Sequence, residues 1–317
     1  MTVSSRESQD EQRLERNDRL KYDAPMFEDC AWDKDNYSID KWLKRTAHGT
    51  LKDTKFGRYP DEEGPHDVLF EDPLLMQVYL IDLALFLGAE KTAFLTSAAL
   101  VGFAPDEAAQ VYFSSQVMDE ARHYEVFCRR MADLGITPEK RKKIVDQYVT
   151  PGMKKFHELV LEQADKKDFT ATVIAQNLIM EGMAYPVYRY EYKYWSVFDP
   201  SLKKIIRGAF ADEAHHVGLG ETIIKNHYQT VGTDEKNKVK RLLKEFSVLM
   251  TEIFEGVINH YVGMYQECAN AHIDLIGDIE IFKGHKMYNL SEEDQVRILL
   301  KEINYEHNHR LERLGIV

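Results

Sequence analysis

The motif Asp-Glu-x-x-His occurs twice in this chain, and it constrains the fold more than any other feature. The first copy runs from Asp119 to His123 and the second from Asp212 to His216. Residues three apart lie on the same face of a helix, so the Glu and the His of each copy can bind one ion. The motif therefore predicts two helices that each carry a chelating pair.

Two further acids stand alone in apolar helical stretches, Glu90 in LALFLGAEKTAFL and Glu181 in VIAQNLIMEGMAYPV. An unpaired buried carboxylate is destabilising, and a bound metal ion offsets that cost. Asp82 lies two turns before Glu90 and is an alternative ligand on that helix. Two Glu-x-x-His helices that face two helices with one carboxylate each form a dimetal site. The predicted ligands are Glu90, Glu120, His123, Glu181, Glu213 and His216.

Four carboxylates and two imidazoles suit iron or manganese, and the four negative charges balance two divalent ions. The predicted cofactor is therefore a pair of ions, Fe/Fe or Mn/Fe. Metal-bound histidines usually donate their other ring N–H to a carboxylate. We expect Asp212 to support His123 and Asp119 to support His216, crosswise between the helices, with Arg122 bridging the two aspartates.

The helical pattern predicts an all-α fold, a four-helix bundle core with additional helices. Helices are expected near 71–101, 104–134, 137–165, 168–197, 200–229, 234–270 and 290–313, and no segment shows sustained strand alternation. Short connections with Gly, Pro or Asp between them favour antiparallel neighbours in one domain. The predicted organisation is a mobile polar arm over 1–24 and one helical domain over 25–317, with a metal-binding core at about 70–230.

Composition excludes several function classes. The net charge of −12 disfavours nucleic acid and anionic membranes as partners. The apolar run that begins at Pro73 carries Asp82, Glu90 and Lys91, which favours a buried helix over a membrane span. The first 21 residues lack the apolar core of a signal peptide. Three widely spaced cysteines indicate neither a disulfide framework nor a zinc site, so we expect a cytoplasmic protein.

The ordered ligand pattern resembles the ferritin-like dimetal-carboxylate oxidases. The stretches GAEKTAFLTSAALVGF, VMDEARHYEVFCRRMADLGI and FADEAHHVGLGE are similar to the ribonucleotide reductase small subunit, and closer to its related ligand-binding oxidases. The likeness covers roughly residues 70 to 230. It implies a ferritin-like fold, a dimetal centre that reacts with O₂, an external electron donor and a homodimer. The motifs specify the metal site strongly and the reaction weakly.

Three positions depart from those relatives. Phe127 stands where the reductase subunit usually has its radical-bearing tyrosine, although some such subunits also carry Phe there. Gln176 and Ala93 stand where the ligand-binding oxidases have a tyrosine–valine cross-link, which should be absent here. Ala209 replaces the seventh ligand of the arylamine N-oxygenases. The metal site carries over, and the known reactions do not transfer directly.

Residues one turn from the ligands are expected to line a mostly apolar substrate pocket. They are Phe86, Ala93, Phe94, Phe127, Tyr185 and Gln176. Tyr185, four residues after Glu181, is a candidate electron or proton relay and equally a core tyrosine. The leading hypothesis is an O₂-activating oxidase or monooxygenase that acts on a small, hydrophobic organic substrate. The alternatives are a tyrosine-free reductase small subunit and a ferritin-like iron-binding protein without substrate turnover.

Overall fold

Long helices account for most of the fold, and polar caps or prolines mark where many of them begin. The computed structural model describes residues 65–316. The predicted arm over 1–24 and the segment that follows it to residue 64 lie outside the described residues. The helices are α1 (Val68–Glu71), α2 (Pro73–Phe103), α3 (Glu107–Asp133), α4 (Pro138–Tyr148), α5 (Pro151–Asp165), α6 (Phe169–Val173), α7 (Tyr185–Phe198), α8 (Pro200–Thr230), α9 (Thr233–Ala271), α10 (Ile273–Ile276) and α11 (Glu292–Leu314).

Four helical segments form the core bundle. They are α2, α3, α8 and a composite helix in which α6 continues directly into a π-helical segment, Ile174–Glu181. Asp72 caps α2 by accepting hydrogen bonds from the amides of Leu74 and Leu75, and Asp106 caps α3 through the amide of Ala109. An N-cap carboxylate satisfies amides that have no partner within the helix. The all-α prediction is confirmed.

Two of the predicted helices are each broken into two. The segment expected over 137–165 divides at Val149 and Thr150, because Pro151 starts a new helix that Thr150 caps. The segment expected over 168–197 divides at Gly182–Ala184, between the π segment and α7. The second break matters for the site, because it changes which side chains after Glu181 share its face.

A short hairpin was not predicted from the sequence. Strands β1 (Glu280–Phe282) and β2 (His285–Lys286) pair antiparallel, with Gly284 at a φ of 78° in the turn, and a 3₁₀ turn (Met287–Asn289) follows. Two paired strands this short present too few alternating residues to be recognised from periodicity.

Helix α2 is long and apolar enough to cross a membrane by length and composition alone, and 61% of its most apolar window is buried. It packs against α3 along its length and also contacts α4 and α5. Within the described residues its buried side chains include the acids Asp82 and Glu90. These contacts agree with the expected core helix.

Candidate metal centre

The four core segments bring six side chains to one buried cluster. Helix α2 contributes Glu90, α3 contributes Glu120 and His123, the π segment contributes Glu181, and α8 contributes Glu213 and His216. Each of the six is at most 5% exposed. All six are the residues that the sequence predicts as ligands.

The six residues divide into two overlapping groups of four. Glu90, Glu120, His123 and Glu213 form one group, and Glu120, Glu181, Glu213 and His216 form the other. Within each group one potential ligand atom per residue lies within 4.8 Å of the others. Glu120 and Glu213 belong to both groups, so the arrangement suits two ions bridged by two carboxylates.

Both imidazoles turn Nδ1 toward the acids. The Nδ1 of His123 lies 3.3 Å from Glu90 Oε2 and 3.4 Å from Glu120 Oε2. The Nδ1 of His216 lies 3.1 Å from Glu120 Oε1 and 3.2 Å from Glu213 Oε2. Neither His123 Nδ1 nor Glu120 Oε2 has a hydrogen-bond partner among the described residues. Buried atoms of this kind are normally satisfied, so a cation between them would give them a partner.

The opposite ring nitrogens contact the two aspartates crosswise. His123 Nε2 lies 3.1 Å from Asp212 Oδ2, and His216 Nε2 lies 3.4 Å from Asp119 Oδ2. The Arg122 guanidinium hydrogen-bonds Asp119 and lies 3.4 Å from Asp212. A carboxylate at Nε2 holds the proton on that nitrogen and leaves Nδ1 as the electron-pair donor.

Three buried amides hold Glu181. Its Oε1 accepts from Gln116 Nε2 at 3.0 Å and Gln176 Nε2 at 3.0 Å, and its Oε2 accepts from Asn177 Nδ2 at 3.2 Å. Gln176 also donates to Ser97 Oγ at 2.7 Å. Sequence reasoning placed Gln176 in the substrate pocket, whereas the structure places it against a candidate ligand. The wider turn of the π segment directs both 176 and 177 toward Glu181.

Burial and mutual repulsion set the protonation of the cluster. Burial raises the pKa of Glu90 to about 8, although His123 opposes the shift. Burial also raises the pKa of Glu181 well above its usual value, and the charges of Glu213 and Glu120 add to this. Burial disfavours the charged form of His123, but Glu90 and its other acid neighbours outweigh it and raise the pKa of the imidazole. Positive charge, either as protons or as bound cations, therefore stabilises the cluster.

Asp82 is not part of this cluster. Its Oδ2 accepts from Trp195 Nε1 at 2.5 Å, and its Oδ1 accepts from the Tyr265 hydroxyl. Asp82 lies eight residues before Glu90, which corresponds to about 12 Å along an α-helix. Glu90 is therefore the α2 residue that faces the other candidate ligands.

A narrow, apolar cavity of about 130 Å³ opens onto Glu90, Glu181 and Glu213. Phe86 and Ala93, two of the residues expected in a substrate pocket, line it. Phe127 does not line it but stacks on Phe86 with ring centroids 4.5 Å apart, and Phe94 packs instead against Tyr124. A residue one helical turn from a candidate ligand therefore lines the cavity only if it lies on the side of the helix that faces the cavity. The other side of the helix packs against a neighbouring helix.

Tyr185 does not line the cavity. Its hydroxyl donates to the backbone carbonyl of Glu213 at 3.0 Å, and the Arg310 guanidinium lies over its ring. Tyr188 lines the cavity instead, and its hydroxyl lies 3.4 Å from Glu90 Oε1. The break at Gly182–Ala184 shifts the helical register, so counting four residues from Glu181 led to the wrong tyrosine. Pro186, in the first turn of α7, marks that break in the sequence, as Pro151 marks the start of α5.

The comparisons with known proteins agree with this fold. The structure of the R2-like ligand-binding oxidase with an aerobically reconstituted Mn/Fe cofactor matches at a TM-score of 0.58 and 17% identity, over 89% of this chain and 93% of that chain. A variant of that oxidase gives a TM-score of 0.60 at 18% identity, over 90% and 95% of the two chains. These likenesses confirm the predicted ferritin-like fold of the reductase-related oxidases.

A further solved structure is described as Protein 19 with aldehyde deformylating oxidase activity from Synechococcus. It gives a TM-score of 0.48 at 16% identity, over 74% of this chain and 99% of that chain. No curated protein sequence matches the chain significantly.

A family model described as long-chain fatty aldehyde decarbonylase matches residues 78–267, which is more than half of the chain. The matched segment contains all six residues of the buried cluster and both supporting aspartates. The chain therefore belongs to the long-chain fatty aldehyde decarbonylase family.

Proposed function

We propose that the protein is a dimetal, O₂-dependent oxidase that acts on a long-chain aliphatic substrate, with fatty aldehydes as the first class to test. The observation that carries the proposal is the pair of overlapping four-residue groups beside an apolar cavity. Family membership supports the substrate class.

The residues present fit two divalent ions. Glu90 and His123 would hold one ion, Glu181 and His216 the other, and Glu120 and Glu213 would bridge them. Four carboxylates and two neutral imidazoles cancel the charge of two divalent ions, and this donor set suits iron and manganese. We therefore propose an Fe/Fe or Mn/Fe pair, and the structures of the ligand-binding oxidase carry Mn/Fe.

The protein's own residues orient and insulate this centre. Asp212 and Asp119 keep a proton on Nε2 of the two imidazoles, so that both Nδ1 atoms face the acids. Gln116, Gln176 and Asn177 fix both oxygens of Glu181 by donating to them. When bound, the metal pair supplies electrons and open coordination positions for the activation of O₂.

The cavity selects and positions an apolar substrate. Its walls are mostly aliphatic and aromatic side chains, which exclude water from the acid cluster. The free volume of about 130 Å³ accommodates a short alkyl segment. Met153, Met180 and Met250 line it, and methionine side chains readily change rotamer to admit a longer chain. A flexible aliphatic ligand fits these walls better than a rigid polar one.

The cavity also separates the oxidase from its rivals. A ferritin-like iron-binding protein has no need for an apolar chamber beside the ions, whereas an oxidase needs one for its substrate. A reductase small subunit generates a radical for a second protein and needs no substrate chamber beside the ions. Neither alternative accounts for the cavity.

Three finer properties belong to the same proposal. We propose monooxygenase-type turnover that draws electrons from an external donor, because the activation of O₂ consumes electrons that the metal pair must regain. We also propose a homodimer, by analogy with the oxidases that the sequence resembles. A cytoplasmic location fits the free thiols of Cys128 and Cys268, both of which are buried.

The first experiment measures the metal content of protein expressed with iron, or with iron plus manganese, and the absorption change when the reduced form meets O₂. We expect two ions per chain, a transient visible band, and O₂-dependent consumption of octadecanal. Glu181→Ala should lower the metal content and abolish the band. One ion or none per chain, with no reaction, would contradict the oxidase. Full metal loading with no aldehyde turnover would contradict the substrate class alone.

A further inference from the structure

The cavity contains polar side chains besides those of the acid cluster, and the tyrosines among them are satisfied by the protein. Each of their hydroxyls lies within hydrogen-bonding distance of a protein oxygen. The pairs are Tyr188 with Glu90, Tyr190 with Gln295, Tyr261 with the Tyr148 carbonyl, and Tyr265 with Asp82. Their hydroxyls are already committed as donors within the fold.

Glu191 differs from these tyrosines. It lies on α7, lines the cavity and is 5% exposed. Its Oε2 has no hydrogen-bond partner among the described residues. The cavity lining contains no Lys, Arg or His within the described part of the chain, so no basic side chain of the lining balances its charge. A buried acid without partner or counter-ion is destabilising and calls for an explanation.

Asp82 makes the environment of Glu191 more acidic. Burial raises the pKa of Asp82 to about 7, and the hydrogen bonds that it accepts from Trp195 and Tyr265 oppose this shift. Burial first, and then the charge of Asp82, raise the pKa of Glu191 well above its usual value. The protonated form of Glu191 is therefore favoured, and that form presents an O–H donor to the cavity.

The position of Glu191 separates it from the acid cluster. Its pKa responds to Asp82 rather than to the candidate ligands. Asp82 is two helical turns, about 12 Å of rise, before Glu90 on α2. Seven residues of α9 between Met250 and Tyr265 line the same cavity, and that stretch rises about 22 Å. The cavity is therefore elongated, with the acid cluster and Glu191 at different positions along it.

We propose that Glu191 binds the substrate, by donating a hydrogen bond from its carboxyl to a neutral oxygen on a long-chain aliphatic ligand. The class of group recognised is an alcohol or other uncharged oxygen that lies along the chain from the carbon that reacts. The proposal rests on the proposed function, because it assumes that the cavity holds such a chain. Glu191 would fix where the chain stops and hence which carbon faces Glu90, Glu181 and Glu213.

Calorimetric titration of the metal-loaded protein without O₂ tests this, with decanol, decane and decylamine as probes. The variants are Glu191→Leu, which removes the donor, and Glu191→Gln, which keeps an N–H donor. Glu255→Leu, at an exposed acid of α9 that does not line the cavity, is the control. A single lost hydrogen bond corresponds to about tenfold in affinity. We expect Glu191→Leu to weaken decanol about tenfold and leave decane unchanged, and Glu191→Gln to weaken decanol less than about threefold.

The other outcomes overturn the proposal. Equal affinity for decanol in the wild type and in Glu191→Leu would overturn it. A wild-type preference for decylamine that both variants lose would also overturn it, because that result indicates that Glu191 is an ionised carboxylate. If the wild type binds none of the probes, the substrate class fails as well, while metal loading and the O₂ reaction still test the oxidase separately. Thermal melting checks folding, and Glu191→Leu should melt higher because it removes the unpaired acid.

Discussion

His123 and His216 show how single side chains set the chemistry of this centre. Each imidazole lies between an aspartate of the opposite core helix at Nε2 and the acid cluster at Nδ1. A neutral imidazole carries only one proton, and without those aspartates either ring nitrogen could carry it. The Asp that precedes each Glu-x-x-His motif therefore contacts the histidine of the partner helix rather than the histidine of its own.

Asp212→Asn should weaken metal binding without unfolding the protein. The amide keeps the shape of the side chain but loses the charge that fixes the proton on His123 Nε2. Loss of such a partner typically costs about 10–100-fold in metal affinity or activity. Metal titration monitored by absorption measures the effect, with Asp146→Asn at an exposed position of α4 as the control. Unchanged affinity in Asp212→Asn would show that Asp212 does not orient His123.

Asp82 should make stability depend on pH. Burial raises its pKa to about 7, although the hydrogen bonds from Tyr265 and Trp195 oppose the shift. A carboxyl whose pKa is raised by folding stabilises the native state below its unfolded pKa near 4, and this contribution is lost as pH rises through about 7. Between pH 5 and pH 8 the loss is on the order of 2–3 kcal/mol.

Asp82→Asn should remove that dependence, because the amide does not titrate. Urea unfolding of the wild type and the variant at pH 5, 6, 7 and 8 measures the difference in unfolding free energy. We expect the variant to gain stability relative to the wild type as pH rises. A constant difference across the series would show that Asp82 stays ionised throughout.

At the scale of elements, the π segment Ile174–Glu181 is the feature with the largest effect on the site. Its wider turn lets Gln176, Asn177 and Glu181 converge, although a regular helix spreads residues five apart around its axis. Helix α8 fits against it closely, because a Cβ on Gly220 would lie 2.6 Å from Asn177 Cβ. The glycine therefore permits the contact between α8 and the segment that carries Glu181.

Gly220→Ala should push these two elements apart. Overpacking of this kind costs about 1–3 kcal/mol, and displacement of Asn177 should also reduce metal occupancy. Gly256→Ala is the matched control, since Gly256 lies in α9 with no neighbouring atom within 4 Å of the added Cβ. That variant should gain up to about 1 kcal/mol from helix propensity. Equal stability changes in the two variants would contradict the close contact at Gly220.

At the scale of the whole molecule, the acid cluster couples folding to metal binding. The core helices α2, α3 and α8 and the π segment each place at least one carboxylate in the interior. Like charges this close repel one another when nothing offsets them. Ions that bind the native state alone therefore stabilise the entire bundle.

Removal of the metals by chelation should lower the melting temperature by about 5–10 °C, assuming ions at about a hundredfold excess over their dissociation constant. Differential scanning calorimetry of the metal-loaded and chelated protein measures the shift. Restoring iron or manganese should recover it, whereas magnesium should not, because imidazole ligands favour transition metals. An unchanged melting temperature would mean that the cluster does not bind metal in the folded state.

The six-residue cluster and the all-helical bundle could be predicted from sequence because they depend on local spacing. Three-residue spacing fixes a shared helix face wherever the helix lies, and an isolated acid in an apolar helix stands out by composition alone. Tyr188, Gln176 and Asp82 could not be placed in this way. Their roles depend on the register after a helix break that Pro186 marks, on a π turn and on a contact with Trp195, and residue spacing fixes none of these.

The sequence by itself determined the candidate ligand set and the helical fold, because both follow from spacing and composition within single helices. Only the tertiary structure decided which carboxylates are shared between the two groups, where the cavity runs and which acid lines it unpaired. Those properties depend on how separate helices approach one another. Glu191 is the clearest case, since its sequence context YEY gives no sign that it faces an apolar cavity beside Asp82.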